Sequence, residues 1–379
     1  MDAFYLSTGT PMPPIDKISL HSLRIPLKKP FITSLGPNLE ADNVVVVIRT
    51  TDGLAGYGEC SAFWTINGET AETGLSVGAH LAKALIGHDA ADIEGAHGVM
   101  DRLIFGNNSI KSAFDIALHD LAAQAVDLPL WKFLGGKERS DLFTDYTVSI
   151  GDPEQMAADA EDIVRSGFPV IKVKLGGDGD LDIRRIRAIR SRIASIPLRI
   201  DANQGWEPDT AIRVLNAIGD QGIQHSEEPI PRWQFLEMRR VKEASPIPIM
   251  ADESCCDHHD AERLIDLGAC QRFNIKLGKS GGLFKAKKII ALAEAAGMVV
   301  QIGGFLESRL AWSAAAALAT TSPCAKYFDM DTPLMFQEDP VVGGLAYGAN
   351  GTITLPQGIG IGASIQERYR SGTQAIEVG

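Results

Sequence analysis

The chain has 379 residues, 45% of them apolar and 22% charged, which is ordinary for a soluble globular protein and allows a barrel-sized domain plus a smaller one. A net charge of −12 argues against a nucleic-acid or anionic-membrane partner. Five cysteines without framework spacing, no apolar run near the roughly 18 residues of a membrane span, and a Met1–Pro14 stretch without the features of an export signal together predict a cytoplasmic protein.

From Ile15 to Gly58 the pattern is β-like. Ser19–Ile25 alternates, Asn43–Arg49 is Val-rich, and Asp52-Gly53 marks a hairpin turn. From Glu72 to Ala125 it becomes helical. Ile110, Ala113, Phe114, Ala117, Leu118 and Leu121 recur at spacings of three and four, which predicts a helix with one buried face. This order predicts an α+β domain over residues 1–140, completed by a returning segment near 356–379.

Leu142 opens an alternating βα series that runs to about Asp331, so residues 141–355 are expected to form a (β/α) barrel. Asp152-Pro153-Glu154 predicts the capped start of its first helix. Single ionisable residues then close successive short apolar runs: Lys174, Asp201, Glu227, Asp252 and Lys276. The steps between them are 27, 26, 25 and 24 residues, each fitting one strand plus one crossover helix. Residues at the carboxyl ends of barrel strands converge on one face, so three carboxylates flanked by lysines are predicted to meet there. Later strands are placed at Val299–Gly303 and Tyr327–Asp331.

Three carboxylates are hard oxygen ligands suited to Mg2+, with Mn2+ as a possible substitute. A dication also relieves their mutual repulsion. Any one acid could instead pair with a nearby lysine or cap a helix; three on consecutive strand ends make that explanation weaker. Lys172 and Lys174 share the inward face of one strand. Mutual repulsion and a bound dication are expected to lower their proton affinity, which suits a general base. Lys276 lies four strands further round, on the opposite side of the mouth. Two opposed lysines over a metal-bound carboxylate suggest removal of an α-proton on one face, an enediolate held by the metal, and reprotonation on the other.

Some patterns mislead. Gly278-Lys279-Ser280-Gly281-Gly282 matches the nucleophile-elbow spacing, but that triad needs a histidine downstream and the last one is His259. Cys255-Cys256-Asp257-His258-His259 cannot aim adjacent side chains at one ion, and reads better as a loop in which Asp257 caps a helix. Lys285, Lys287 and Lys288 are expected on a solvated helix face, and His119 and His225 are expected to be structural.

Taken together, Lys172-x-Lys174, Asp201 in Asp-Ala-Asn-Gln-Gly-Trp, Glu227 before Glu-Pro, Asp252 in Ala-Asp-Glu-Ser and Lys276 in Asn-Ile-Lys-Leu-Gly resemble the enolase superfamily, and within it the muconate-lactonizing-enzyme subgroup. The resemblance implies a modified (β/α)7β TIM barrel with an N-terminal α+β capping domain. It implies Mg2+ held by Asp201, Glu227 and Asp252, with Lys174 and Lys276 as the acid/base pair, Lys174 serving the L isomer and Lys276 the D isomer. Lys172 would tune Lys174 and contact the substrate carboxylate.

Phe328-Asp329-Met330-Asp331 is similar to the Asp-x-Asp of dipeptide epimerases, which implies that Asp329 and Asp331 bind the ammonium group of a dipeptide. Alternate residues share one face and paired anions suit a cation, so the physical reading agrees. Capping-domain loops near residues 31–36 and 63–69 would meet the C-terminal side chain. The arginine of Ala-Glu epimerases has no counterpart there, and Phe31, Leu35, Phe63, Trp64 and Ile66 suggest an apolar pocket. Glu307 is a further candidate for facing substrate. A homo-oligomer is also expected. The alternatives are an N-acylamino-acid racemase, o-succinylbenzoate synthase or cycloisomerase of the same subgroup, a Schiff-base aldolase using Lys276, and a non-catalytic binding protein.

Overall fold

The computed structural model describes residues 12–193, 195–371 and 375–379; the reading of the first eleven residues as lacking an export signal lies outside them. β1 (Ile15–Thr33), β2 (Gly36–Thr50) and β3 (Ala55–Ser61) form an antiparallel meander. Gly53 turns the second hairpin with φ +90°, a conformation that costs glycine little. The C-terminal strand Ala375–Val378 pairs with the other side of β1, Leu20 opposite Ile376.

Four helices follow: α1 (Ala71–Leu85), α2 (Ile93–Leu103), α3 (Asn108–Ala125) and the short α4 (Leu130–Phe133). The one-faced burial expected for α3 is too modest. Every residue from Ser109 to Ala123 is buried, because the capping sheet covers one side and barrel helices the other. Gly56 and Gly58 let β3 approach closely: a Cβ on Gly56 would sit 2.2 Å from the Ala117 carbonyl oxygen, and one on Gly58 1.9 Å from that of Ala113.

The second sheet is parallel and eight-stranded. Its strands are β4 (Tyr146–Val148), β5 (Ile171–Lys174), β6 (Leu198–Asp201), β7 (Ile223–Glu227), β8 (Ile249–Ala251), β9 (Arg272–Lys276), β10 (Val299–Gly303) and β11 (Ala325–Phe328), neighbours in chain order. The intervening helices are α5 (Pro153–Arg165), α6 (Gly179–Arg192), α7 (Pro208–Ala217), α8 (Phe235–Ala244), α9 (His258–Asp266), α10 (Leu277–Ser280) with α11 (Leu283–Ala295), and α12 (Arg309–Ala319). Among the described residues only two short helices, Thr332–Met335 and Glu367–Ser371, follow β11, so the architecture is (β/α)7β. At the seam Asp145 N donates to Phe328 O at 3.3 Å and Met330 N to Thr144 Oγ1 at 2.9 Å.

Local signals behave as the sequence suggested at the helix starts. The Asp152 side chain accepts from Glu154 N with Pro153 in the first turn, and Asp257 accepts from Asp260 N. One expectation fails. Lys287 is buried beneath α4 and donates to Leu134 O at 3.2 Å, because α11 packs under the capping domain instead of facing water. The Gly-rich C-terminal stretch reaches the capping domain: Ile361 N donates to Asp120 of α3 and Leu130 N to Gly360 O. Among the described residues no helix is long and apolar enough to cross a membrane.

Candidate active site

Parallel register sets the level at which the charged residues emerge. Lys174 lies opposite Asp201, and Asp201 opposite Glu227, while Asp252 follows directly on β8 and Lys276 ends β9 opposite Gly303. The three acids therefore rise from β6, β7 and β8, and the two lysines from β5 and β9 on either flank. One oxygen from each of Asp201, Glu227 and Asp252 lies within 4.8 Å of the others, and all three residues are buried.

Their surroundings fix the side chains. Asp201 Oδ2 is 2.7 Å from Lys174 Nζ and 3.0 Å from Lys172 Nζ. Glu227 accepts from Lys172 at 2.8 Å, Asn274 Nδ2 at 2.8 Å and Gln301 Nε2 at 3.0 Å. Asp252 is approached by Lys276 at 2.8 Å and Lys279 at 2.5 Å, yet neither contact is aligned as a hydrogen bond to the carboxylate. Two buried oxygens held by charge alone, facing two further carboxylates, fit a hard divalent cation. Glu228, in a left-handed conformation (φ +32°), accepts from Asp252 N at 2.7 Å and from Ser254, and so sets the course of the loop that carries Asp252.

Burial and mutual charge pull these acids apart. Burial raises Asp201, but Lys172, Lys174 and Lys276 outweigh it and hold Asp201 well below the usual carboxylate range. Asp252 is likewise held down by Lys276 and Lys279 against its burial. Glu227 is pushed up to about 7 by burial and by the neighbouring Asp201. The lowering of proton affinity expected at Lys172 is not produced by the protein alone. Burial does oppose the charge of Lys172 and Lys276, but Asp201, Asp329 and Glu227 raise Lys172 well above its ordinary range, and Asp252 and Glu227 raise Lys276. Carboxylates outnumber the lysines, so their field prevails until other positive charge enters.

Asp329 and Asp331 follow β11 beside this group. Asp329 Oδ2 lies 2.7 Å from Lys172 Nζ, so one ammonium touches Asp201, Glu227 and Asp329 together. Asp331 accepts from Thr147 N at 2.7 Å and is raised to about 7 by burial and by Asp329. With the buried Asp145, which pairs with Arg199 at 2.7 Å, they form a second group of three carboxylates within 4.8 Å. A narrow cavity of about 30 Å³ joins Lys174, Lys276, Asp329 and Asp331, walled by Phe31, Leu35, Phe63, Ile66 and Phe305.

Two candidates fall elsewhere. Trp64 is 71% exposed and borders an adjoining cleft with Leu39 and Glu72, on the other side of Phe63 and Leu306 from the cavity, because the turn that buries Phe63 and Ile66 directs it outward. Glu307 is buried but does not line the cavity; its carboxylate curls back to accept from Phe305 N and lies beside Glu59, and burial raises it to about 8. His119 contacts Asp115 at 3.3 Å and His225 stacks edge-on with Tyr327, both in the interior. The Ser280 hydroxyl donates to Lys276 O and is buried, which removes the nucleophile-elbow motif as chemistry.

Sequence reasoning missed Asn274, Gln301, Lys279 and Phe305. For the first two a signal existed: polar residues in buried strands, Asn274 two before Lys276 on the same face. Lys279 lies in the short helix α10 just after β9 and Phe305 in the irregular loop after β10, and nothing in their spacing singles them out.

An eight-stranded parallel barrel, roofed by an α+β cap and carrying three acids between two lysines, defines an enolase-type protein. The chain belongs to the mandelate racemase/muconate lactonizing enzyme family of that superfamily. Residues 17–135 match the family's "Mandelate racemase / muconate lactonizing enzyme, N-terminal domain", and residues 155–369 match the "Enolase C-terminal domain-like" family.

The chain is 52% identical over 363 residues to a D-Ala-D/L-Ala epimerase of Cytophaga hutchinsonii, spanning 96% of this chain and 99% of that protein. The crystal structure of a dipeptide epimerase from the same organism, complexed with Mg and D-Ala-L-Val, superposes with a TM-score of 0.95 over 96% of this chain and 100% of that one, at 52% identity. A dipeptide epimerase of Enterococcus faecalis complexed with Mg and L-Leu-L-Tyr gives a TM-score of 0.90 at 36% identity, over 93% and 99% of the two chains.

Proposed function

We propose that this protein is a Mg2+-dependent dipeptide epimerase that inverts the α-carbon of the C-terminal residue, acting on dipeptides whose side chain there is apolar. The observation that carries the reading is the flanking of Asp201, Glu227 and Asp252 by Lys174 on β5 and Lys276 on β9, beside the pair Asp329 and Asp331. Asp201, Glu227 and Asp252 would hold the Mg2+. When bound, the ion supplies the positive charge that offsets the negative charge developing next to the substrate carboxylate.

Lys174 takes the α-proton of the L isomer as the C–H bond breaks, and Lys276 delivers a proton to the opposite face; the reverse direction exchanges these roles. Lys172 orients the substrate carboxylate and stays charged among Asp201, Glu227 and Asp329. Asp329 and Asp331 receive the free ammonium group, a cation that balances two buried anions. Phe31, Leu35, Phe63 and Ile66 exclude water and offer no charge to an acidic side chain. An N-acylated substrate brings no cation to Asp331, which would keep only the Thr147 amide while Asp329 keeps Lys172, and this disfavours a racemase of N-acylamino acids.

The test is a dipeptide library incubated with the enzyme and Mg2+ in D2O and read by mass spectrometry. One deuterium at the C-terminal α-carbon is expected, on apolar and uncharged dipeptides first. Exchange confined to N-acylamino acids would overturn the assignment.

A further inference from the structure

The side chain of the residue being inverted must leave the α-carbon between the two lysines, so whatever adjoins those amines bounds its pocket. Lys174 Nζ lies 5.6 Å from the centre of the Phe31 ring and Lys276 Nζ 5.1 Å from that of Phe305. Phe305 comes from the barrel, in the loop after β10. Phe63 comes from the cap, and the two rings stack with centroids 5.3 Å apart and planes 22° from parallel.

The pair is held from behind as well as above. Phe305 is buried, and Gly278 of α10 lies against its ring so closely that a Cβ there would be 3.2 Å from its edge. Both rings line the cavity that also holds Lys174, Lys276, Asp329 and Asp331. The wall they make therefore cannot retreat toward the barrel without displacing α10.

Resting on the dipeptide-epimerase reading above, we propose that Phe305, stacked on Phe63 across the domain junction, is the specificity-determining wall that limits the size of the C-terminal side chain. Cap loops alone do not set this limit. The barrel contributes the rigid half of the pocket, and shortening Phe305 deepens it.

The experiment compares the wild type with F305L and F305A on L-Ala-L-Ala, L-Ala-L-Val, L-Ala-L-Leu and L-Ala-L-Phe, measuring kcat and KM for each. In the wild type, kcat/KM is expected to fall as the second side chain grows. In F305A the ratio of kcat/KM for L-Ala-L-Phe to that for L-Ala-L-Ala is expected to rise about tenfold or more, mainly through KM, with F305L between. A general loss of packing would lower all four substrates together and leave the ratio where it was. An unchanged ratio in both variants, with the wild type active, overturns the role of Phe305. A wild type inactive on every dipeptide overturns the underlying functional reading instead.

Discussion

At the residue scale, the roles proposed for Lys174 and Lys276 divide the reaction between two faces of the substrate. Lys276→Ala removes the group on one face only. Epimerisation is expected to fall by about a thousandfold or more, the scale of a lost general acid/base, while exchange of the α-proton of the L isomer into D2O persists. Lys174→Ala should give the mirror result on the D isomer, followed by NMR of each isomer separately. Loss of exchange from both isomers in both variants would contradict independent roles.

Asp331 carries a second test. Its carboxylate is anchored by Thr147 N and stands beside Asp329, and a charge-assisted contact to an ammonium contributes about 1.5–3 kcal/mol. Asp331→Asn is therefore expected to raise KM for dipeptides roughly 10- to 100-fold with kcat less affected. Equal turnover of N-acylated analogues by the wild type would argue that these aspartates serve something else.

At the scale of elements, α3 joins β3 of the cap to the C-terminal stretch of the chain. Asp120 accepts from Tyr57 N of β3 at 3.0 Å, from Gln124 at 2.9 Å and from Ile361 N at 2.8 Å. Burial nevertheless pushes its carboxyl up to about 6, against 3.8 for a free aspartate. The folded state thus keeps this proton to higher pH than the unfolded chain does. The corresponding stability is fully present below about pH 4 and is lost as pH rises through 6, a loss of at most about 3 kcal/mol. Urea unfolding between pH 4 and 7 should show a steeper decline for the wild type than for Asp120→Asn, and parallel profiles would refute the assignment.

The same helix shows where sequence patterning stops. Its spacings of three and four revealed a helix and an apolar face. The full burial of its other face depends on barrel helices more than 150 residues downstream, as the contact of Asp115 with Leu283 N illustrates. Local periodicity carries no record of such a partner.

For the whole molecule, the buried acids make folding and metal binding one problem. A cation that binds the native site and not the unfolded chain stabilises by mass action, about 2.7 kcal/mol at a hundredfold excess over Kd. Added Mg2+ is expected to raise Tm by several degrees, and EDTA to reverse this together with activity, with Mn2+ restoring both. An unchanged Tm and full activity in EDTA would remove the metal from the account.

Barrel, cap and the positions of Lys174, Asp201, Glu227, Asp252 and Lys276 were legible in the chain itself. A strand-and-helix repeat returns to the same end of the sheet every 24 to 27 residues, so chain spacing maps directly onto spatial convergence. Only the folded structure turned Trp64 outward and Glu307 back onto its own loop, buried Lys287, and brought Phe305 against Phe63. Those outcomes depend on irregular turns and on packing between segments distant in sequence, where no periodic rule ties a residue's number to the direction of its side chain.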